Sequence, residues 1–327
     1  MTQDRRLTEE AARALAASQD DRLMFVRRDR WIGYPRAQAV LDDMRRLVEY
    51  PDATRPPNTL LVADTNNGKT TLVRRLEQLH PAVDDPARAH ASRPVVVIDA
   101  PPRPTEERLY NHLLDSLGAP YRVNSKVDQK LFKLREVLRA VGMKVLVLDE
   151  MNNALAGSLQ QQQEVLNAVK ELGNRLERPV ILTGVFETLV VLRRDDQIQN
   201  RFTPVTLPKW ELDREFLQLL ASFEATLPLR KASGLASEVL APMLLDMSGG
   251  LIGELSNLLK RAAERAVTSG KEKIDRSLLL ELGWVPPGER DAATSAAEQG
   301  LTYKIDYAAR VKAMLAGKGG ASDEDGG

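Results

Sequence analysis

The chain has 327 residues, enough for one large domain or two ordinary ones, and its 43% hydrophobic and 28% charged residues are typical of a globular protein. Lys plus Arg number 46 and Asp plus Glu number 46, so the formal net charge is zero. That excludes a global basic footprint for nucleic acid and leaves only local patches. Cysteine is absent, which excludes disulfides and thiolate metal sites and suits a reducing cytosol. The first residues carry no apolar run, so no secretory signal is expected. No stretch approaches the roughly 18 apolar residues of a membrane span. A cytoplasmic protein without membrane contact is the expectation.

In chain order, residues 4–30 read as one polar helix with Leu7, Ala11 and Leu15 on a face and Thr8 as a cap ahead of Glu9 and Glu10. Trp31, Ile32 and Tyr34 then crowd around Gly33 and Pro35, a turn. This stretch either packs on a nucleotide base or staples onto the first helix. A helix over 36–49 follows, with Val40, Leu41, Met44, Leu47 and Val48 on one face.

Leu60 to Ala63 is a short apolar run that predicts a buried strand, and Lys69 to about His80 reads as a helix. Between them lies Asp64-Thr-Asn-Asn-Gly68. Strand, glycine-ending loop and helix form the context of a phosphate-binding loop. Backbone N–H groups of Asp64, Thr65, Asn66, Asn67 and Gly68 can turn toward phosphate oxygens at the helix N-terminus. Lys69 can reach the β- and γ-phosphates, the Thr70 hydroxyl can sit on Mg²⁺, and Thr71 stands behind them. One position departs from the usual pattern: Ala63 replaces its first glycine, which a turn tolerates if φ stays negative there.

Pro94-Val-Val-Val-Ile-Asp-Ala100 reads as a second strand buried on both faces. Helices follow over 105–117 and 125–142. Lys144-Val-Leu-Val-Leu-Asp-Glu150 is a third buried strand ending in two carboxylates. At a C-terminal strand end both acids can reach the crevice where open α/β sheets bind ligands. Asp149 can hold Mg²⁺ and Glu150 can orient and deprotonate an attacking water. A helix spans 160–176, and Pro179-Val-Ile-Leu-Thr183 is a fourth strand that brings Thr183 beside the carboxylates. After a short helix at 186–192, residues 203–207 form a fifth strand. The fold class is therefore α/β, a five-stranded parallel sheet between helices. From Glu211 only helices remain, over 211–226, 233–247, 253–269 and 275–282. After Pro286 the periodicity weakens, and 318–327 has the Gly, Ser and acid content of a disordered tail. The resulting division is an N-terminal helical extension at 1–30, a nucleotide-binding domain at 31–208, a helical lid at 209–285 and a partly disordered tail at 286–327.

The phosphate loop, the strand ending Asp149-Glu150, the strand ending Thr183 and the helical lid together resemble the AAA+ P-loop ATPases. More narrowly, Arg30-Trp-Ile-Gly-Tyr-Pro-Arg-Ala37, Thr65-Asn-Asn-Gly-Lys-Thr70, Asp149-Glu150 followed by Asn152-Asn153, Asn200-Arg-Phe202, Gly249-Gly-Leu-Ile-Gly253 and Trp284-Val-Pro-Pro287 resemble the TniB/TnsC-type ATPases of transposons. The resemblance implies an ATP- and Mg²⁺-dependent regulator of DNA transposition. Such proteins assemble as rings or filaments on duplex DNA and link a TniQ-like targeting protein to a TniA- or TnsB-like transposase. It also implies that Lys69, Asp149, Glu150 and Thr183 act in hydrolysis, and that Ile32, Tyr34, Ile252 and Gly253 border the nucleotide. Arg201 would be an arginine finger acting on a neighbouring subunit, with Arg193 and Arg194 as rivals and a local salt bridge to Asp195 or Asp196 as the plain alternative. Gly253 and Glu254 stand where many AAA+ lids place a second sensor arginine, which implies slow or partner-dependent turnover. Arg103, Arg122, Lys126 and Lys130 are the DNA-facing candidates, with Arg108 beside them. A replication initiator or helicase loader is the alternative function, but it normally brings a separate DNA-reading module. A phosphotransferase would need an acceptor pocket, which the sequence does not suggest.

Overall fold

The structure is a computed structural model that describes residues 7–84, 91–102, 105–299 and 301–319. The chain divides into two compact units: Pro35–Pro208, and Met1–Tyr34 with Lys209–Gly327.

Among the described residues the first unit holds one sheet of five parallel strands: β1 (Asn58–Ala63), β2 (Val95–Asp99), β3 (Val145–Asp149), β4 (Val180–Gly184) and β5 (Phe202–Leu207). Their order is β2-β3-β4-β1-β5. Aliphatic, largely β-branched runs make these segments strands, because such side chains suit a sheet covered on both faces. Leu60 to Ala63 and Val145 to Leu148 are buried throughout. Each Leu or Val so buried contributes about 2 kcal/mol relative to exposure. β5 lies at an edge, where Pro204, lacking a donor, is tolerated. The helix Pro35–Val48 buries the face read from the sequence: Val40, Leu41, Met44, Leu47 and Val48. The helices Glu106–Ser116, Val127–Ala140 and Leu159–Leu176 pack Leu113, Leu134 and Val169 into one core with the strands. All strands run the same way, so their C-terminal ends share one edge, and this edge gathers the functional residues.

The second unit is helical. The polar N-terminal segment forms two helices, Glu9–Leu15 and Gln19–Arg27, where the sequence suggested one. Ser18 starts the second by accepting from Asp21 N. Thr8 caps the first, as its sequence context suggests. Arg214–Thr226, Leu240–Ser248, Ile252–Thr268 and Arg276–Glu281 follow. The helix expected over 233–247 begins only at Leu240. The Glu224 carboxylate takes the N–H groups of Ser233, Gly234 and Leu235 at 2.7, 3.0 and 2.9 Å, and Gly234 has φ 69°. The left-handed backbone at Gly234 is incompatible with a right-handed helix there, so the helix starts later.

The weakly periodic end is also corrected, since Arg290–Glu298 and Tyr307–Gly319 are helical. Tyr307 is buried in the same core as Trp210 and Leu258, and Arg310 pairs with Asp246 at 3.0 Å. Residues 320–327, expected to be disordered, lie outside the described residues. From the N-terminal segment, Arg22 is buried and grips Glu272 at 2.6 and 2.9 Å while donating to Pro228 O at 2.8 and 3.2 Å.

Candidate nucleotide site

β1 enters the loop at Ala63 with a negative φ, so the alanine at the usual glycine position carries no strain. The left-handed turns fall later, at Asn66 (φ 59°) and Gly68 (φ 90°). Gly68 is the N-cap of the helix Lys69–Leu79, and a side chain at that φ would be strained. The loop is tethered: the buried Asn67 donates through Nδ2 to Leu207 O at 2.9 Å and Pro208 O at 3.3 Å, at the end of β5. The Asn67 side chain thus fixes the loop, a role that spacing alone did not reveal. Asp64, Thr65, Asn66 and Thr71 remain partly or fully exposed around the turn.

Lys69 is buried at the first helical position, and its Nζ folds back on the loop, donating to Ala63 O and Asp64 O at 3.0 Å each. Burial lowers its pKa, and the negative charges of Glu150, Asp149 and Asp64 oppose that shift. An ammonium held by neutral carbonyls in a half-dry cradle is poised to meet a stronger anionic partner.

The acids arrive from the neighbouring strands. Leu148 pairs with Leu182, which sets Asp149 at the end of β3 beside Thr183 of β4. Thr70 Oγ1 donates to Asp149 Oδ2 at 3.0 Å, and Thr183 Oγ1 donates to Asp149 Oδ1. Glu150 N donates to Asp149 Oδ1 at 2.9 Å and to Thr183 Oγ1 at 3.2 Å. Glu150 itself has φ 56° and ψ 43°, a left-handed conformation that costs a non-glycine residue about 1–2 kcal/mol. Its Oε2 accepts from Asn152 Nδ2 at 3.1 Å. The hydroxyl and carboxylate of Thr70 and Asp149 are hard oxygen donors, few in number. They fit Mg²⁺ carried in with a phosphate chain, which keeps most of its ligands as water and phosphate oxygen.

Ile32 and Tyr34 belong to the helical unit, where both pack on its core and the Tyr34 ring meets Trp210 edge-on at 4.8 Å. Ile252 and Gly253 open the helix Ile252–Thr268 of that unit. Glu254 beside them is buried and ion-paired with Arg290 at 2.5 Å. Arg201 donates to Asn174 Oδ1 and makes no pair with Asp195, which Lys170 holds at 2.9 Å. Arg193 and Arg194 are exposed.

Arg122, Lys126 and Arg108 are exposed, and Arg103 lies outside the described residues. Lys130 is corrected as a DNA candidate. It is 1% exposed, and its Nζ is spent on Glu107 Oε1 at 2.6 Å and Val123 O at 2.7 Å. Helical spacing put it among polar positions, but the loop 117–126 folds over it.

The sheet order and the shared edge are those of the AAA+ class of P-loop proteins. Residues 22–212, more than half of the chain, match the family described as Bacterial TniB protein. The chain belongs to that TniB family. Among solved structures it is similar to the ORC2 protein of Aeropyrum pernix in ADPNP–ADP complexes, at 17% identity over 79% of this chain and 70% of that one, with a TM-score of 0.52. It is also similar to the Walker-type ATPase paby2304 of Pyrococcus abyssi, at 14% identity over 80% of this chain and 75% of that one, with a TM-score of 0.50. At such identities the likeness establishes the fold. No curated protein matches the chain. Among the described residues no helix is long and apolar enough to cross a membrane.

Proposed function

We propose that this chain is an ATP-dependent regulator of DNA transposition that assembles on duplex DNA when ATP is bound and leaves it after hydrolysis. The observation that carries the ATPase part is the convergence of Lys69, Thr70, Asp149, Glu150 and Thr183 on one sheet edge. Membership of the TniB family, with the sequence resemblance to transposon ATPases, supports the transposition part.

The residues divide the work by chemistry. Lys69 exchanges its two carbonyls for phosphate oxygens, while the loop N–H groups and helix N-terminus cradle the chain. Thr70 and Asp149 would hold Mg²⁺, which when bound would neutralise charge on the phosphates. Glu150 orients the attacking water and accepts its proton. Thr183, bonded to both Asp149 and the Glu150 backbone, couples the state of the metal acid to the position of the base. Arg201, half-buried and without an acid partner among the described residues, is the finger offered to a neighbouring subunit's phosphate. With the finger in trans, turnover is slow until subunits assemble, so the nucleotide works as a switch. The partners of the assembled state are duplex DNA, a TniQ-like targeting protein and a TniA- or TnsB-like transposase. Arg122, Lys126 and Arg108 contribute salt-sensitive phosphate contacts summed over subunits. The fold alone suits a replication initiator equally well, and it is the family match that favours the transposition reading.

The test is Glu150→Gln in the full chain with ATP, Mg²⁺ and duplex DNA. The variant should bind ATP and stay on DNA while wild type dissociates over time. A variant that loses ATP or DNA binding would overturn the assignment of Glu150 as the base.

A further inference from the structure

Asn152 lies two residues beyond Glu150, on the single-turn helix Met151–Ala154. Its Nδ2 donates to Glu150 Oε2 at 3.1 Å and to Asn153 Oδ1 at 3.3 Å. Its Oδ1 is buried and has no hydrogen-bond partner. Charge fixes this orientation of the amide, because the reversed one would set Oδ1 against the carboxylate, acceptor against acceptor. A buried acceptor left without a donor costs about 1–3 kcal/mol. The conformation of Asn152 therefore serves the carboxylate and not its own hydrogen-bonding needs.

Glu150 needs such a partner. Its backbone is left-handed, and its carboxylate stands on a flexible side chain whose ordering costs about 1.5–2 kcal/mol of rotamer freedom. Thr183 and Asp149 bind the Glu150 backbone N–H, so they fix where the residue starts and not where the carboxylate ends. Asn152 supplies the hydrogen bond to the carboxylate itself.

We infer that Asn152 is a positioning residue for hydrolysis, whose Nδ2 fixes the end of the Glu150 side chain by holding its carboxylate. The inference rests on the reading of Glu150 as the base. It extends that reading by naming what aims the base. The sequence offered Asn152 only as part of a motif. Its role becomes visible because the left-handed turn at Glu150 swings residue 152 back onto the acid.

The experiment measures kcat, KM and ATP affinity of the full chain with Mg²⁺ and duplex DNA, for wild type, Asn152→Ala, Asn152→Asp and Asn152→Gln. Asn152→Ala should lower kcat roughly tenfold, the scale of a misaimed catalytic group. Asn152→Asp should lower it further, because it puts a like charge beside Glu150. Asn152→Gln, which keeps an amide donor, should recover part of the loss. KM and ATP affinity should stay within about twofold, since the Asn152 amide hydrogen-bonds to Glu150 and Asn153 and not to the loop. Residence on DNA in ATP should lengthen by the same factor as kcat falls. In a Glu150→Gln background, Asn152→Ala should add no further loss, because there is no base left to aim. Unchanged kcat, an equal loss in the Glu150→Gln background, or a loss with weakened ATP binding would each overturn the inference. Equal hydrolysis by wild type and Glu150→Gln would instead overturn the base assignment beneath it.

Discussion

Thr70 Oγ1 and Asp149 Oδ2 lie 3.0 Å apart, joining the first turn after the phosphate loop to the end of β3. The sheet order brings β3, β4 and β1 together in space, and the shared strand direction puts their C-terminal ends side by side. This pair is the hard-oxygen floor of the site, and Thr183 braces Asp149 from the other side.

Thr70→Ala should therefore cost hydrolysis roughly 100-fold, because one of the two side chains proposed to hold Mg²⁺ is lost while the phosphate cradle stays. Thr70→Ser should restore most of the rate, since the hydroxyl returns. Titrating Mg²⁺ against turnover checks this. An alanine variant with the wild-type Mg²⁺ requirement would place the metal elsewhere.

Arg201 carries a prediction about assembly. If it acts across a subunit boundary, Arg201→Ala and Lys69→Ala are each inactive alone for different reasons. A mixture should regain activity, because a finger-competent Lys69→Ala subunit completes the site of its Arg201→Ala neighbour. Measured as ATPase rate against mixing ratio, a curve with no rise at intermediate ratios would return Arg201 to its bond with Asn174.

Lys130 separates stability from DNA binding. Its ammonium is buried and satisfies Val123 O as well as Glu107. Lys130→Met leaves that carbonyl without a donor and should cost about 2 kcal/mol in denaturant unfolding. DNA affinity of the folded variant should be unchanged. The double substitution Arg122→Ala and Lys126→Ala should do the reverse, weakening DNA binding and flattening its salt dependence at unchanged stability.

Much of this was legible in the sequence. The strands β1, β3 and β4 are aliphatic runs closed by loop or acid residues, and their burial on both faces makes such runs readable. The loop, Asp149, Glu150 and Thr183 could be named because their chemistry depends on where strands end. Lys130 and Arg22 could not, since helical spacing gives no sign of which charged side chain a distant loop or helix will cover. The helices Arg290–Glu298 and Tyr307–Gly319 were missed for a related reason. The only buried residue they contribute among those described is Tyr307, and the surface that covers it comes from residues far away in sequence.

Arg22 and Glu272 give a pH-dependent prediction for the helical unit. Burial pushes the Glu272 carboxyl up, but hydrogen bonds from Arg22 and the Arg230 N–H, with both arginine charges, outweigh it and hold the pKa below 4.5. The folded value lies below the unfolded one, so the contribution is full above 4.5 and is lost as pH falls through the folded value. Arg22→Ala should lower stability at neutral pH by about 3 kcal/mol, because it leaves a largely buried carboxylate unpaired. The gap to wild type should narrow below pH 4.5 as Glu272 protonates. Denaturant melts across that range check both, and a gap that is constant with pH would show that the ion pair is not its source.

The central claim is that nucleotide state decides whether this chain stays assembled on DNA. Electron microscopy of the full chain with duplex DNA, comparing a non-hydrolysable ATP analogue with ADP, tests it most directly. DNA-bound rings or filaments with the analogue and dispersed subunits with ADP are the expected result. Isolated subunits under both conditions, or identical assemblies under both, would contradict it.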